Sequence, residues 1–213
     1  MLFHADHAAL FAEKLLSIGA IKLRPEEPFT WASGWKSPIY CDNRLTLSYP
    51  EIRNWIKNTL ADGIRQQMAD VDIIAGVATA GIPHGALAAD ELQVPFVYVR
   101  SEAKKHGLTN QIEGKSVEGA KVVVIEDLVS TGGSSLTAVS ALRAAGAQVM
   151  GMAALFTYAF PIAGQAFKDA ECPLFTLSDY PALIQYAQRS GLVQAETVAL
   201  LNAWRENPSG WMQ

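Results

Sequence analysis

The chain has 213 residues, of which 50% are hydrophobic and 18% are charged, and its formal net charge is -4. This length and composition suit one globular domain with a substantial core, and they exclude disordered and fibrous proteins. The small negative charge gives no whole-protein attraction to nucleic acid or to anionic lipid, so we expect no nucleic acid and no membrane among the partners.

The first residues give no sign of export or membrane insertion. The start, MLFHADHAALFAEKLL, lacks the basic leader and the cleavage site of a signal peptide, and no stretch reaches the roughly 18 apolar residues of a membrane span. Cys41 and Cys172 are far apart and form no CxxC motif, which argues against a disulfide framework and a zinc site. His4 and His7 have no further metal ligand nearby in sequence. We therefore expect a cytoplasmic protein with no metal site built from its own side chains.

The N-terminal part of the chain predicts two helices separated by a hairpin. The first helix has Asp6 as its N-cap and ends before Gly19. Residues 28–41, PFTWASGWKSPIYC, mix aromatic and β-branched residues with Gly and Pro, and predict a short antiparallel hairpin near the surface. The second helix begins with Ser48 as its N-cap and Pro50 in its first turn. The apolar positions expected on the two helices are Leu10, Phe11, Leu15, Ile18, Ile52, Trp55, Ile56, Leu60 and Ile64.

Short apolar runs then alternate with helical stretches. The predicted strands, expected to be buried on both faces, are residues 71–77, 94–99, 121–125 and 149–157. The predicted helices between and after them are residues 82–91, 134–145 and 162–169, followed by 181–190 and 194–206. His84, at the start of one helix, suits packing or capping. Alternation of this kind predicts a parallel sheet whose strands all end on one rim, where open α/β sheets bind ligands.

Residues 122–135, VVVIEDLVSTGGSS, end a predicted strand at this rim. Glu126 and Asp127 follow the apolar run, and a helix is expected to begin near Ser134. A helix start carries unpaired N–H groups and favours an anion, and the two glycines let a phosphate approach the backbone. The hydroxyl donors offered by this turn are Ser130, Thr131, Ser134 and Ser135. The same residue types also occur in ordinary turns and caps, but the adjacent carboxylates favour a phosphorylated ribose.

A cationic segment follows another predicted strand. RSEAKKHG, residues 100–107, places Arg100, Lys104, Lys105 and His106 together in an otherwise acidic chain. The long loop after it has no hydrophobic periodicity, and loops of this kind are often functional. Such a segment is either a solvated charged loop or an arm that closes over a diphosphate.

The stretch 122–135 resembles the site for phosphoribosyl pyrophosphate (PRPP) in the phosphoribosyltransferases. The resemblance implies that Glu126 and Asp127 contact the ribose 2- and 3-hydroxyls, and that the loop after them binds the 5-phosphate. The residues of that segment implied to bind substrate are Leu128, Val129, Ser130, Thr131, Gly132, Gly133 and Ser134. By the same resemblance, Arg100, Lys104, Lys105 and His106 hold pyrophosphate, and Lys104, His106 and Asp127 are the catalytic residues.

Residues 29–44, FTWASGWKSPIYCDNR, make the chain similar to one branch of that family, the orotate phosphoribosyltransferases. This resemblance implies an α/β fold: a parallel-sheet core with helices on both faces and a small hood built from the N-terminal hairpin region. It implies one domain over residues 1–213. Its parts are the N-terminal helices and hood to about residue 60, the core to about residue 175, and the C-terminal helices. Lys36, Tyr40 and Cys41 are implied to lie beside the base.

The implied reaction joins the phosphoribosyl group of PRPP to orotate, with Mg²⁺ bound mainly through PRPP. The implied assembly is a homodimer in which Lys105 or its neighbours complete the partner's site. The orotate phosphoribosyltransferases themselves have more than one branch, and the chain departs from one of these at Ala32, Thr79, Ala80 and Tyr158. Arg44 and Lys36 are the candidates to pair with the orotate carboxylate instead. Residues 76–83, GVATAGIP, still fit the family's pyrophosphate loop. A transferase for another base and a noncatalytic PRPP-sensing regulator are the alternatives.

Overall fold

The computed structural model describes residues 1–31, 33–101 and 111–211. Its strands are β1 (Ile21–Leu23), β2 (Phe29–Thr30), β3 (Lys36–Ser37), β4 (Ile39–Cys41), β5 (Ile73–Val77), β6 (Phe96–Val99), β7 (Ile112–Glu113), β8 (Lys121–Val129), β9 (Gln148–Thr157) and β10 (Leu174–Asp179). Its α-helices are α1 (Ala5–Ser17), α2 (Pro50–Gln67), α3 (Gly81–Leu92), α4 (Gly133–Ala144), α5 (Pro161–Asp169), α6 (Tyr180–Arg189) and α7 (Ala195–Glu206), and a 3-10 helix spans Asn43–Ser48.

A six-stranded sheet in the order β10-β9-β8-β5-β6-β7 forms the core. The first five strands in that order are parallel, and β7 pairs antiparallel at the edge. All five residues of β5 are buried, and the apolar residues of β8 and β9 pack under the surrounding helices. The predicted α/β fold with a parallel sheet is therefore confirmed. In the described part of the chain, no helix is both long enough and apolar enough to span a membrane.

Three strands of the sheet differ from the prediction in presence or burial. β7 lies in the segment that was predicted to be a loop. The edge strand β10 was not predicted; its middle carries the polar residues Thr176 and Ser178, both buried, which break the apolar run. In β6, Phe96 and Tyr98 are only half-buried, so this strand is not covered on both faces as expected.

The hood is built from two small antiparallel sheets. β2 pairs with β3 as the predicted hairpin, with Phe29 opposite Ser37. β4 instead turns back to pair with β1, with Cys41 opposite Ile21. The indole Nε1 of Trp204 in α7 donates to the carbonyl oxygen of Lys36 at 3.1 Å. The C-terminal helix therefore holds the hood over the end of the sheet.

The predicted starts of the first two helices were each wrong by one or two residues. The backbone of Phe3 donates to Thr176 in β10, which keeps the chain extended up to the N-cap residue His4, so Asp6 lies inside the first turn of α1. Ser48 ends the 3-10 helix, and the extended Tyr49 is the N-cap residue of α2. The side chain of Leu10, expected on the apolar face, is exposed.

Candidate active site

The two carboxylates lie inside β8, although the sequence predicted that this strand ends at Ile125. β8 continues because β9 continues to pair with it, with Glu126 opposite Ala154. On the other side, the pairing of β5 with β8 ends at Gly76 and Ile125. Glu126 and Asp127 therefore lie where β8 extends beyond its neighbour β5, at the C-terminal rim of the sheet.

Glu126 is held by neighbouring groups. Its Oε2 accepts a hydrogen bond from the Ser135 hydroxyl at 3.1 Å, and its Oε1 accepts one from the backbone N–H of Asp127 at 3.0 Å. Ser135, expected to offer its hydroxyl to an anion, is 1% exposed and donates that hydroxyl to Glu126 instead. This contact joins the helix after the turn to the strand that carries the carboxylates.

Burial shifts the ionisation of the pair. Burial, and then the neighbouring Asp127 carboxylate, raise the pKa of Glu126 to about 8. Burial also raises the pKa of Asp127, while hydrogen bonds and the Arg44 guanidinium oppose that rise. At neutral pH the pair therefore carries less than its full negative charge until hydroxyl donors or cations enter the site.

The turn after β8 leads into an open helix start. Gly132 has φ 87° and stands at the N-cap position of α4, where it has no side chain with which to cap the helix. A Cβ there would lie 3.0 Å from the ring of Phe167, so both conformation and space favour glycine. Gly133 and Ser134 are exposed. The first N–H groups of α4 are therefore available to an anion.

The start of α3 approaches the same rim. A Cβ on Gly81 would lie 2.5 Å from the carbonyl oxygen of Ile125, so only glycine allows α3 to come this close to β8. His84 in the first turn is 1% exposed, and both of its ring nitrogens lack a hydrogen-bond partner. Burial lowers its pKa to about 4. His84 is thus a neutral packing residue and does not cap the helix.

The cationic side of the site is described only in part. Arg100 follows β6, forms an ion pair with Glu113 at 3.5 Å, and lines a cavity of about 110 Å³ together with Ser134 at the start of α4. The structure therefore brings Arg100 and Ser134 together. Lys104, Lys105 and His106 lie outside the described residues, as does Ala32.

A second cavity, of about 210 Å³, lies between the hood and β8. It joins residues of the hairpin to residues of the carboxylate-bearing segment. Its lining residues are Trp31, Tyr40, Cys41, Leu128, Ser130 and Tyr158. Flat aromatic walls next to a strand that carries two carboxylates can hold a planar ring beside a sugar.

The two cations considered for a substrate carboxylate are engaged elsewhere. Lys36 donates from Nζ to the Thr30 hydroxyl at 2.9 Å across the hairpin. Arg44 donates from Nε and Nη2 to the two carboxylate oxygens of Asp42, at 2.7 and 2.9 Å. Neither side chain lines the cavity of about 210 Å³.

The described residues offer no protein-built metal cage: no three His, Cys, Asp or Glu side chains among them are grouped to hold a metal ion. The rings of His4 and His7 lie edge to face, and His7 also packs on Trp55. Cys41 and Cys172 are both free thiols.

Two residues of the site were missed from the sequence. Asn43 is fully buried between the hood and β8, and Trp204 supports the hood from the C-terminal helix. Asn43 stood inside the quoted FTWASGWKSPIYCDNR stretch, but nothing in its neighbours showed that its amide is buried. Trp204 is 168 residues from its partner Lys36, a pairing that no local pattern carries.

Three comparisons bear on this geometry. A family model described as a phosphoribosyl transferase domain matches residues 47–178. An orotate phosphoribosyltransferase of Bacteroides fragilis is 59% identical over 202 residues, covering 95% of this chain and 95% of that protein. The crystal structure of orotate phosphoribosyltransferase from Aeropyrum pernix superposes with a TM-score of 0.75 at 28% identity, over 86% of this chain and 99% of that one. The Leishmania donovani UMP synthase gives a TM-score of 0.76 at 27% identity; it covers 93% of this chain, which spans 42% of its length.

Proposed function

The chain belongs to the orotate phosphoribosyltransferase family, and we propose that it transfers the 5-phosphoribosyl group of PRPP to N1 of orotate. The products are orotidine 5-phosphate and pyrophosphate, in pyrimidine biosynthesis. One observation supports the proposal: Glu126 and Asp127 lie on the end of β8, directly before Leu128 and Ser130 of the hood cavity and a few residues before the open start of α4. A ribose bound by these two carboxylates has the anion site at α4 for its 5-phosphate and the ring-sized hood cavity near its C1.

In this proposal the two ends of the phosphorylated sugar are held by opposite charges. Glu126 and Asp127 accept hydrogen bonds from the 2- and 3-hydroxyls, and they stabilise positive charge that develops on the ring. The N–H groups and hydroxyls of Ser130–Ser134 bind the 5-phosphate, because a helix start favours a dianion. Leu128 and Val129 connect the two contacts along β8.

The pyrophosphate lies on the cationic side. Arg100 flanks the start of α4, and we assign Lys104, Lys105 and His106 to the same leaving group, with Lys104 and His106 as catalytic residues. The N-terminus of α3, brought against β8 by Gly81, offers further N–H donors. These groups stabilise the negative charge that grows as the C1–O bond breaks.

The oxygen donors of the site fit Mg²⁺ bound mainly through PRPP. Mg²⁺ commonly takes one or two carboxylates together with substrate phosphates, and Glu126 and Asp127 supply carboxylates without a larger protein cage among the described residues. When bound, the ion offsets charge on the leaving diphosphate. Catalysis by the chain itself is then positional and electrostatic.

The pyrimidine ring occupies the hood cavity, which is lined by Tyr40 and Cys41 of the hood and by Leu128 and Ser130 of the segment after the carboxylates. For the orotate carboxylate we favour Arg44 over Lys36. The charge of Arg44 acts on both Asp127 and Tyr40, so it lies near the cavity, and its pair with Asp42 is exposed and open to exchange for a substrate carboxylate.

The proposal includes three further points. The 213 residues form one domain, and two copies associate as a homodimer in which Lys105 or its neighbours complete the partner's site. The free thiols of Cys41 and Cys172 suit a cytoplasmic protein.

A substrate panel tests the function. With PRPP and Mg²⁺, the protein is expected to consume orotate and release one pyrophosphate per orotate, and to leave uracil, adenine and xanthine unchanged. Turnover of one of those bases without orotate would keep the fold and overturn the substrate. PRPP binding without turnover of any base would favour a PRPP-sensing regulator.

A further inference from the structure

Asn43 connects the hood to the strand that carries the carboxylates. It is the first residue of the 3-10 helix, and its side chain is fully buried. Its Nδ2 donates to the backbone carbonyl oxygen of Asp127 at 2.6 Å, across 84 residues of sequence. Its Oδ1 accepts from the Cys41 thiol at 3.4 Å. One buried amide therefore contacts both parts of the candidate site.

The orientation of this amide is fixed by chemistry. A backbone carbonyl only accepts, so the nitrogen of the Asn43 amide must face Asp127. The amide oxygen then faces Cys41, whose sulfur must donate. Burial, and then the negative charges of Asp127 and Asp42, raise the pKa of the Cys41 thiol, which keeps its proton available. The chain of donors thus runs from Cys41 through Asn43 to Asp127.

The two ends of this chain lie in different parts of the candidate site. Cys41 ends β4 and lines the hood cavity, while Asp127 carries one of the two carboxylates on β8. Arg44 and Asp42, the residues on either side of Asn43, bond to each other at the surface, whereas the Asn43 amide bonds to the backbone of β8.

We propose that Asn43 is a positioning residue that fixes the separation between the base cavity at Cys41 and the ribose-binding strand at Asp127. This inference rests on the proposed function, because it assumes that the base and the sugar occupy those two places. Transfer requires N1 of the base to stand about 3–3.5 Å from C1 of the ribose, and small misplacements of bound reactants cost large factors in rate. Loss of Asn43 therefore lowers the rate of transfer between bound substrates more than it weakens the binding of either one.

The test compares variants at both ends of the chain in a steady-state assay with separate KM values for orotate and PRPP. Asn43→Ala removes both bonds, and Asn43→Asp keeps the shape but loses the donor to the Asp127 carbonyl. Both are expected to lower kcat by at least about tenfold and to change each KM by less than about threefold. Cys41→Ser keeps a donor towards Asn43 and is expected to retain more of kcat than Cys41→Ala.

Ser178→Ala is the matched control for a purely structural loss. Ser178 is also fully buried, and its hydroxyl donates to the distant backbone oxygen of Ala8 at 2.8 Å, between β10 and α1. This variant is expected to lower Tm as the Asn43 variants do, while kcat of the folded enzyme stays at the wild-type value. PRPP binding by calorimetry shows whether each variant retains its ribose site.

The outcomes separate the two claims. Asn43 variants that keep kcat within about twofold of an active wild type would overturn the inference and leave the proposed function standing. So would equal losses of kcat in the Asn43 and Ser178 variants, or losses confined to KM. A wild-type protein without turnover of orotate would overturn the proposed function and the inference with it.

Discussion

At the scale of single residues, burial favours the neutral form of two ionisable groups near the rim of the sheet. Glu126 is 6% exposed beside a second carboxylate, and His84 is 1% exposed without a hydrogen-bond partner. Burial disfavours the charged form of both, so the pKa of Glu126 rises and the pKa of His84 falls. The two residues therefore reduce stability at opposite ends of the pH scale.

Glu126→Gln is expected to make the protein less sensitive to alkali. The folded state keeps the proton of Glu126 up to about pH 8, whereas an unfolded chain releases it near the ordinary value of 4.5. Wild-type stability therefore falls as pH rises between those values, and the variant lacks this loss. In thermal unfolding, the Tm of the variant relative to that of the wild type is expected to rise by at least about 2 °C from pH 5 to pH 8.5.

The exposed carboxylate of Glu196, in the first turn of α7, provides the control. Glu196→Gln is expected to follow the wild-type pH profile, because water already solvates that group. Parallel profiles for wild type and Glu126→Gln would show that Glu126 does not hold a proton in the folded state.

His84→Leu is expected to protect the protein against acid. The pKa of about 4 in the folded state lies below the ordinary 6.5, so the contribution of His84 is fully present above pH 6.5 and is lost as pH falls towards 4. The difference corresponds to about 3 kcal/mol at most. Between pH 7 and pH 4.5 the wild type is expected to lose several degrees of Tm more than the variant. If acid lowers Tm equally in both proteins, His84 is not buried in its neutral form.

At the scale of elements, the C-terminal helix supports the substrate side of the hood. Trp204 is fully buried among Trp31, Tyr158, Phe160 and Tyr180, and its Nε1 donates to the Lys36 carbonyl in β3. Trp31 and Tyr158 are also walls of the hood cavity. α7 therefore supports two walls of the hood cavity without lining that cavity itself.

Trp204→Phe is expected to weaken orotate binding more than PRPP binding. The variant loses the donor to Lys36, worth about 1 kcal/mol, so KM for orotate is expected to rise about fivefold. Tyr180→Phe is the matched control, because it removes a buried hydrogen bond to Leu201 in the same cluster without touching the hood. Equal changes in orotate KM for both variants would mean that α7 stabilises the fold only.

The elements also show what the sequence could and could not predict. β5, β8 and β9 are apolar runs, and α2, α3 and α4 lie where the alternating pattern predicted helices, so their type was predictable. β10 was missed because Thr176 and Ser178 interrupt its apolar pattern, although both are buried. The pairing of β1 with β4 joins two strands of only three residues across the β2–β3 hairpin, and strands this short carry no clear periodicity. The 122–135 motif predicted the position of the two carboxylates. It did not predict the hydrogen bond from Ser135 to Glu126 or the one from the Asn43 amide to Asp127.

At the scale of the whole molecule, the parallel sheet brings residues from distant segments to one rim. The ends of β5, β6 and β8 and the starts of α3 and α4 meet at this rim, and the end of β4 in the hood completes the candidate site. This follows the general position of ligand sites in open α/β sheets, so the rim itself was predictable from the alternation of strands and helices. The proposed homodimer adds that a second chain supplies part of each site.

Mixing two inactive variants tests the shared site. Asp127→Asn damages the site on its own chain, and Lys105→Ala damages the loop that is proposed to serve the partner. After unfolding and refolding together, half of the dimers are mixed, and each of these has one intact site, so about a quarter of wild-type activity is expected. If the loop served its own chain, no mixed dimer would have an intact site, and activity would stay at the level of the separate variants.

The central claim is that β8 and α4 hold the two ends of one ribose 5-phosphate while the hood holds the base. A crystal structure with PRPP, Mg²⁺ and orotate measures this most directly. The ribose hydroxyls are expected within hydrogen-bond distance of Glu126 and Asp127, the 5-phosphate on the first N–H groups of α4, and the pyrimidine between Tyr40 and Leu128. A 5-phosphate bound away from α4, or an orotate outside the hood cavity, would contradict it.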